Sequence, residues 1–316
     1  MILITGGMGF IGLHTARKVI DAGENVVLTQ YSVRREPDFI KDELGKRAFA
    51  ERMDITNTHE VFDVFQKHKV TGVIHLAVPG LAALSAAEDY RVNMLGFLNI
   101  LEAARQNGVK RVTFASSFTV YAGVKEPGPY KEDMTFPMTS GNPTETFKKA
   151  MEITGLHFGD RTKMEVVAGR ASGIWGPLYH SMANTPSRVC HAAVRGRPAD
   201  FTGSRGGVPF ADDVQDFCYV KDCAQGFQVL QMAPTLNNRI YNIGAGVGRS
   251  NADLVAAAKK VIPTAQAELQ PGANPRGRKN PFVDVTRAAE DAGYKPAYTL
   301  ESGVEDYITW LKDHPE

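Results

Sequence analysis

Three side chains in the stretch NPTETFKKAME, residues 142–152, have the types and the spacing to do chemistry. Thr144, Lys148 and Glu152 recur every four residues, which places them on one face of a helix. The lysine is a positive partner for a bound molecule, whereas a threonine hydroxyl is a poor acid or base near neutral pH. Glu145 is another candidate base, but one residue along a helix lies about 100° away. Thr144 therefore has two open interpretations, a contact with substrate and an N-cap of the helix.

A glycine-rich turn at the N-terminus indicates a second kind of chemistry. In ILITGGMGFIG the residues Gly6, Gly9 and Gly12 have the spacing G-x-x-G-x-x-G between an apolar strand pattern and an amphipathic helix pattern. Glycines there let the turn tighten, let the backbone approach a pyrophosphate and let the helix pack on the strand, while the helix N-terminus attracts the anion. The turn predicts a dinucleotide-binding site.

The end of the second strand bears on which dinucleotide binds. A carboxylate there would bind the adenosine ribose hydroxyls of NAD, but this chain has Thr29 and Gln30. Arg34 and Arg35 follow, and they are either a clamp for the additional phosphate of NADP or a solvated basic pair beside Glu36. NAD and NADP both remain candidates, with Gln30 and Arg34 as predicted contacts.

The elements that position these residues alternate through the first half of the chain. Apolar strand patterns occur at ILIT, NVVLTQ, RAFAERMDI, GVIHLA and RVTFASS, with helix patterns at FIGLHTARKVIDAG, at THEVFDVFQKH and near 86–107. Parallel strands need a crossover between them, so this alternation predicts an α/β fold, a Rossmann-type doubly wound parallel sheet.

The second half of the chain differs in composition and in its pattern of predicted elements. It is rich in Pro and Gly from 169 to 207 and then predicts a strand near VQDFCYV, a helix from about Asp222, a strand RIYNIG and helices near 251–261 and 300–312. We predict a Rossmann domain at 1–170 and a smaller substrate-binding region at 171–316, with segments near 214–245 returning to the Rossmann sheet.

Composition narrows the function classes. With 316 residues, 43% of them hydrophobic, and 36 Lys and Arg against 35 Asp and Glu, the chain is typical of a globular protein with no overall charge for nucleic acid or an anionic membrane. Three cysteines without metal-ligand spacing suit a reducing compartment, and a strand pattern at residue 1 leaves no room for a signal segment. We expect a cytoplasmic protein with no membrane span, no nucleic-acid partner and no metal.

Several motifs together resemble one known family. TGGMGFIG, DIT at 54–56, GVIHLA, YRVNMLGFLNILEAAR and FASSFTVYAG resemble the extended short-chain dehydrogenase/reductases, and more narrowly the NAD-dependent epimerase/dehydratase family typified by UDP-galactose 4-epimerase. VQDFCYVKDCAQG and RIYNIGAGVGRSNADLV resemble the C-terminal half of that family. The resemblance covers nearly the whole chain.

The resemblance implies roles for particular residues. In the family the helix at 142–152 usually reads P-Y-x-x-x-K-x-x-x-E, so Thr144 stands at the position of the acid/base tyrosine and Lys148 at that of the ribose-binding lysine. Ser117 falls at the catalytic serine or threonine position. Cofactor contacts are implied for Lys148 and for residues of the other motifs, namely Phe10, Ile11, Asp54, Ile55, Leu76, Ala77 and Ala115.

The substrate-binding residues of the family are partly absent. Gly173 and Gln215 stand where nucleotide-sugar enzymes have an asparagine and an arginine, and loss of that arginine removes a charged contact with a diphosphate. The predicted substrate contacts are Ser117, Thr144, His180, Asn184, Arg188 and Arg276. The loop VPGLAALS, 78–85, is small and apolar, as expected beside the nicotinamide and substrate.

We predict an NAD(P)-dependent oxidoreductase that transfers hydride at a hydroxyl or ketone carbon of a sugar, sugar acid or hydroxy acid. One alternative is an epimerase or dehydratase with tightly held NAD, which begins with the same step. Another is a catalytically silent NAD(P)-binding sensor or interaction protein, which the unusual Thr144 favours. By resemblance alone the protein is expected to be a homodimer.

Overall fold

The computed structural model describes residues 1–32, 34–78, 84–204 and 206–314. Its strands are β1 Ile2–Thr5, β2 Val26–Gln30, β3 Ala48–Arg52, β4 Gly72–His75, β5 Arg111–Ser117, β6 Glu165–Ala171, β7 Gly173–Trp175, β8 Val214–Gln215, β9 Phe217–Tyr219, β10 Ile240–Ile243 and β11 Arg249–Ser250. Its helices are α1 Phe10–Asp21, α2 Asp38–Lys41, α3 Thr58–His68, α4 Ala86–Tyr90, α5 Gly96–Gln106, α6 Pro143–Thr162, α7 Thr185–Val194, α8 Val220–Met232, α9 Asn251–Val261, α10 Thr286–Ala292 and α11 Leu300–Asp313.

Seven strands form a parallel sheet in the order β10-β6-β5-β4-β1-β2-β3. The chain runs outward from β1 through β2 to β3, then returns to the other side of β1 with β4 and continues to β10. Ligands of open parallel sheets bind at the carboxyl ends of the strands where the order reverses. Here that point lies between β1 and β4, directly after the glycine turn. The predicted doubly wound α/β fold is confirmed.

Hydrophobic side chains cover both faces of the sheet. Consecutive residues of β1 alternate between the two layers: Ile2 and Ile4 pack with the core beneath α1 and α8, and Leu3 packs with the core beneath α3 and α5. A third core lies under the C-terminal region and contains Trp175 and Tyr307. The sheet is therefore a rigid base on which the loops at its carboxyl edge are held.

The structure refines the predicted elements. The helix expected near 86–107 contains a π-helical turn, Arg91–Leu95, between α4 and α5. Of the segments near 214–245, β10 joins the central sheet, whereas β8 and β9 pair with β11 and β7 in two-stranded sheets. Strand β6 crosses the predicted boundary at 170/171, so the two regions share one strand. The hydrophobic periodicity of the sequence did not predict the short helices α2 and α7.

Candidate active site

The glycine turn joins β1 directly to α1. Gly6 has φ +63, in the left-handed region, and a Cβ there would lie 3.2 Å from the backbone of Ala77. A Cβ on Gly12 would lie 2.4 Å from the carbonyl oxygen of Gly6, so α1 packs on the turn as only glycine permits. Gly9 is the N-cap of α1, with no side-chain cap and no acid in the first turn. The helix N-terminus is thus open to an anion.

A cavity of about 550 Å³ opens from this turn along the ends of β1, β2, β3 and β4. Ten of the predicted cofactor contacts lie on its wall, namely Gly6, Gly9, Phe10, Ile11, Gly12, Gln30, Asp54, Ile55, Leu76 and Ala77. Val78 and Leu84, from the loop predicted to lie beside the nicotinamide, are also on the wall, whereas sequence reasoning missed other wall residues, among them Tyr31, Ser32, Thr56, Glu88 and Arg91. The π-helical turn brings Arg91 to the wall, where its guanidinium donates to Thr56 Oγ1 at 2.9 Å. Residues 79–83 of the loop predicted to lie beside the nicotinamide are outside the described part of the chain.

The end of β2 places the two neighbouring arginines differently. Arg34 pairs with Glu36 at 2.6 Å and is not on the cavity wall, whereas Arg35 is on it. The structure therefore favours Arg35 over Arg34 as a cofactor contact, because the direction of each side chain after the strand was not readable from sequence. Gln30 is on the wall, and its Oε1 is buried without a donor among the described residues.

Lys148 of α6 is not on the wall of this cavity and lies against the last residues of β5. The lysine is 7% exposed, and its ammonium donates to the carbonyl of Ala115 at 2.6 Å. Lys148 and Ala115, two predicted cofactor contacts that are not on the cavity wall, are therefore bonded to each other. Burial lowers the pKa of Lys148 from 10.5 to about 8, although the charge of Glu152 opposes the shift. The lysine therefore exchanges a proton close to neutral pH.

Thr144 is exposed in the first turn of α6. The cap of this helix is Asn142, whose Oδ1 accepts from the backbone N–H of Glu145 at 3.0 Å. The N-cap interpretation of Thr144 is therefore wrong, since the threonine already has helical backbone and Asn142 precedes it by two positions. The catalytic interpretation stays a prediction.

Ser117 ends β5 and begins a 3₁₀ turn, Phe118–Tyr121. Its Oγ accepts from Thr119 N at 3.2 Å, which fixes the hydroxyl at the carboxyl edge of the sheet. A hydroxyl held there still has a proton to donate. Ser117 thus has a structural bond that leaves its predicted contact with substrate possible.

Beneath these residues a buried polar network joins β5, α6, β6 and β10. Glu152 accepts from both Arg170, at 2.7 Å, and Ser116, and Arg170 also donates to Tyr121 Oη at 2.9 Å. Tyr121 donates in turn to Asn242 Oδ1 at 2.8 Å. Burial raises the pKa of Tyr121 to about 12 in spite of Arg170. Tyr121 is therefore a structural tyrosine of this buried network.

A second buried ion pair anchors the start of α6. Glu145 and Lys149 pair at 2.7 Å, each with 4% of its side chain exposed, and Lys149 also donates to the carbonyls of Pro137 and Thr139. Burial raises the pKa of Glu145, but the Gly141 N–H and Lys149 outweigh it and lower the pKa overall. Glu145 is thus held as a carboxylate that braces the segment leading into α6, which weakens its case as a base.

The predicted substrate contacts in the C-terminal half have mixed surroundings. Asn184 caps α7 by accepting from Ser187 N at 2.8 Å, and Arg188 donates to the carbonyls of Asp200 and Thr202, so both have structural bonds. His180 is exposed. Their contact with substrate stays a prediction.

The two arginines of the loop NPRGRKNP, residues 274–281, are both exposed but have different neighbours. The guanidinium of Arg278 lies 5.0 Å from the ring centroid of Phe118, next to Ser117. Arg278 therefore brings a positive charge close to the predicted catalytic serine, which the choice of Arg276 missed. Of the replaced family ligands, Gln215 donates to Asn251 Oδ1 at 2.9 Å and Gly173 lies in β7.

Residues 2–244 match the NAD dependent epimerase/dehydratase family, and the chain belongs to that family. The resemblance stated from the motifs is confirmed. The family is NAD-dependent, and its members are enzymes.

The particular relatives are sugar-nucleotide epimerases. The chain is 27% identical to the UDP-glucose 4-epimerase of Lacticaseibacillus casei over 100% of this chain and 98% of the relative, and 28% identical to that of Bacillus subtilis over 98% and 96%. Its fold matches the UDP-glucose 4-epimerase of Thermotoga maritima solved with UDP-glucose, at TM-score 0.82, 24% identity and coverage of 100% and 99%. It also matches the UDP-glucuronic acid 4-epimerase of Bacillus cereus in complex with UDP-glucuronic acid and NAD, at TM-score 0.79, 22% identity and 99% coverage of both chains.

The residues of this chain fit a dinucleotide. The open N-terminus of α1 suits a pyrophosphate, and the orphaned Oε1 of Gln30 suits a hydroxyl or amino donor. Among the described residues, no helix is long and apolar enough to cross a membrane. The same residues include no group of three or more His, Cys, Asp or Glu placed to hold a metal ion.

Proposed function

We propose that this protein oxidises or reduces a hydroxyl or ketone carbon of a small polar substrate, with sugars and sugar acids as the first candidates. The observation that supports the proposal is the buried Lys148 at the end of β5, with its pKa near 8, beside a dinucleotide-binding fold. The sugar-epimerase relatives support the substrate class.

In this proposal the chain's own residues hold the reacting oxygen and move its proton. Ser117 and Thr144 present hydroxyls to the substrate oxygen. In the oxidation direction neutral Lys148 accepts the hydroxyl proton, and in the reduction direction its ammonium returns that proton, in both cases through a hydroxyl or a water. A bound nicotinamide would supply the hydride-transfer chemistry. Lys148 suits the proton role better than Thr144, since its pKa lies close to neutral pH while an alkyl alcohol has a far higher one.

The test follows reduced nicotinamide while the purified protein, with NAD or NADP, meets a panel of sugars, sugar acids and hydroxy acids. We expect turnover with at least one compound and a loss of at least about tenfold in Thr144→Val and in Ser117→Ala. Thr146→Val is the matched control on the same helical turn, because Thr146 bonds Asn142 and Ser140 instead of facing a substrate. Unchanged turnover in Thr144→Val would remove Thr144 from the chemistry.

An epimerase with tightly held NAD is the second candidate, which the named relatives favour. The loss of the usual asparagine and arginine at Gly173 and Gln215 argues against a nucleoside-diphosphate sugar. NAD retained through purification, with conversion of a sugar and no release of reduced cofactor, would replace the dehydrogenase by the epimerase. Tight dinucleotide binding without any conversion would indicate a silent sensor.

We also propose a homodimer. Helices α5 and α6 contact each other and carry exposed apolar side chains on or next to them. These are Leu95, Leu98 and Ile153, which are 41%, 50% and 54% exposed. Leu98→Glu with Ile153→Glu should convert a dimer to a monomer in sedimentation velocity. Val247→Glu, at another exposed valine, is the control. A wild-type monomer at micromolar concentration would exclude this dimer.

A further inference from the structure

We propose that the dinucleotide site of this chain prefers NADP(H), with the 2′-phosphate bound by Gln30, Ser32 and Arg35 at the end of β2. This inference rests on the proposed function, since it concerns the cofactor of the same site. It goes against the name of the family, which specifies NAD. What carries it is a strand end without a carboxylate, a Gln30 amide oxygen that has no donor among the described residues, and two nearby arginines.

The strand end has no carboxylate to prefer a ribose hydroxyl. Thr29, 2% exposed, and Gln30 occupy the last positions of β2, and both lie on the cavity wall. Gln30 Oε1 is buried without a donor from the described residues. An amide can also turn its N–H groups outward and donate to a phosphate oxygen, which a carboxylate cannot do and would instead repel.

Two arginines lie near the end of β2, and one of them, Arg35, is on the cavity wall beside Ser32. Arg52 is paired in register with Gln30 on the neighbouring strand, and its guanidinium lies 5.7 Å from the ring centroid of Tyr31. A phosphate monoester carries a charge of roughly −1.5 to −2 and bonds arginine strongly. The pair therefore matches the charge of a 2′-phosphate.

The acids nearby are already engaged. Glu36 pairs with Arg34 at 2.6 Å, and Asp54 on the cavity wall accepts from the Thr56 hydroxyl at 2.8 Å. Glu88, also on the wall, lies 3.6 Å from Arg91. None of the three is at the end of β2. Each of these carboxylates therefore has a partner other than the two arginines proposed to lie near the phosphate.

The experiment titrates the wild-type protein with NADPH and with NADH, followed by the fluorescence of the reduced cofactor, and repeats both with 2′,5′-ADP and 5′-AMP as competitors. We expect NADPH to bind at least about tenfold tighter, and 2′,5′-ADP to compete better than 5′-AMP. Arg35→Ala should weaken NADPH by about 10–100-fold and change NADH by less than about twofold.

Two further variants control this result. Arg34→Ala, the neighbouring arginine held by Glu36, should change neither affinity by more than about twofold. Gln30→Glu, which is isosteric and adds a carboxylate, should reverse the preference toward NADH. Tighter NADH than NADPH in the wild type, or equal losses of NADPH in Arg34→Ala and Arg35→Ala, would overturn the inference and leave the proposed function standing. Binding of neither cofactor would overturn the proposed function itself.

Discussion

The cofactor end and the substrate end of this protein are built on different principles. At the cofactor end the contacts come from backbone and small residues, such as Gly6 against Ala77 and Gly12 against Gly6. At the predicted substrate end, the candidate groups Thr144 and Lys148 lie on a helix that is held by two buried ion pairs, Glu152 with Arg170 and Glu145 with Lys149.

This difference shows how the chain can keep its family's fold with a threonine at 144, where the resemblance implies a tyrosine. A backbone contact constrains the residue type itself, because any Cβ would collide. A side chain such as Thr144, exposed above a braced helix, can change without disturbing the packing below. A residue change at the exposed start of α6 should therefore disturb the packing less than a residue change at the glycine turn.

The largest effect should come from breaking the buried base of the substrate end. Glu152→Gln keeps the shape but leaves Arg170 as an uncompensated buried charge, so we expect a loss of roughly 3–5 kcal/mol in the free energy of unfolding. Urea denaturation measures it. Asp160→Asn is the control on the same helix, since its pair with Arg239 is exposed and should cost less than about 1 kcal/mol. Equal losses of unfolding free energy in the two variants would show that the buried network stabilises the protein no more than an exposed ion pair does.

Next in size is a change at the cofactor end. Gly12→Ala drives a methyl group into the backbone of Gly6, which we expect to cost about 1–3 kcal/mol and to weaken dinucleotide binding at least about tenfold. Gly141→Ala tests the contrast at the substrate end, where the nearest atom to a Cβ is the Glu145 carboxylate at 3.8 Å. Full dinucleotide binding by Gly12→Ala would show that the turn is more adaptable than its geometry implies.

A smaller effect concerns pH and Lys148. Because burial lowers its pKa to about 8 from 10.5, the folded state binds fewer protons than the unfolded state between these values, so the cost of burying the ammonium is full below pH 8 and declines as the pH rises. Lys148→Met has no ammonium at this position and therefore lacks this pH-dependent cost. The free energy of unfolding of Lys148→Met minus that of the wild type should fall by about 2 kcal/mol from pH 7 to pH 10. The exposed Lys259→Met should show a constant difference, and a constant difference in Lys148→Met would mean that the lysine is not desolvated.

The smallest effect separates the two residues at the start of α6. Asn142→Ala removes the cap on Glu145 N and should cost about 1 kcal/mol. Thr144→Val should change stability by less than about 0.5 kcal/mol, because the threonine is exposed and does not cap. Thermal unfolding of both variants measures the difference. The reverse order would restore Thr144 as the cap.

Much of the fold and of the cofactor end was predictable from the sequence. Gly6, Gly9 and Gly12 lie on the cavity wall as their spacing implied, because that spacing reports a backbone geometry that few other residues permit. Helix α3 has the predicted bounds, 58–68, since its pattern is strongly periodic and Asn57 caps it. The short helices and the small sheets lacked enough residues to show a period.

The sequence did not predict which of two nearby arginines reaches the candidate site. Arg34 and Arg35 are alike in sequence, as are Arg276 and Arg278, yet only Arg35 reaches the cavity and only Arg278 approaches Phe118. Their directions depend on the path of loops whose ends are set by contacts far along the chain. Tertiary packing, and not residue type, therefore decides which of the two side chains points toward the site.

By itself, the sequence determined the alternation of strands and helices, the glycine turn and the absence of the tyrosine at 144, because each is a property of residue type and spacing along the chain. Only the tertiary structure decided that Lys148 is buried on the Ala115 carbonyl, that Asn142 caps α6 and that Gln30 keeps an orphaned amide oxygen. Burial and hydrogen bonding join residues distant in sequence. The protonation state of Lys148 and the charge at the end of β2 therefore follow from the folded chain.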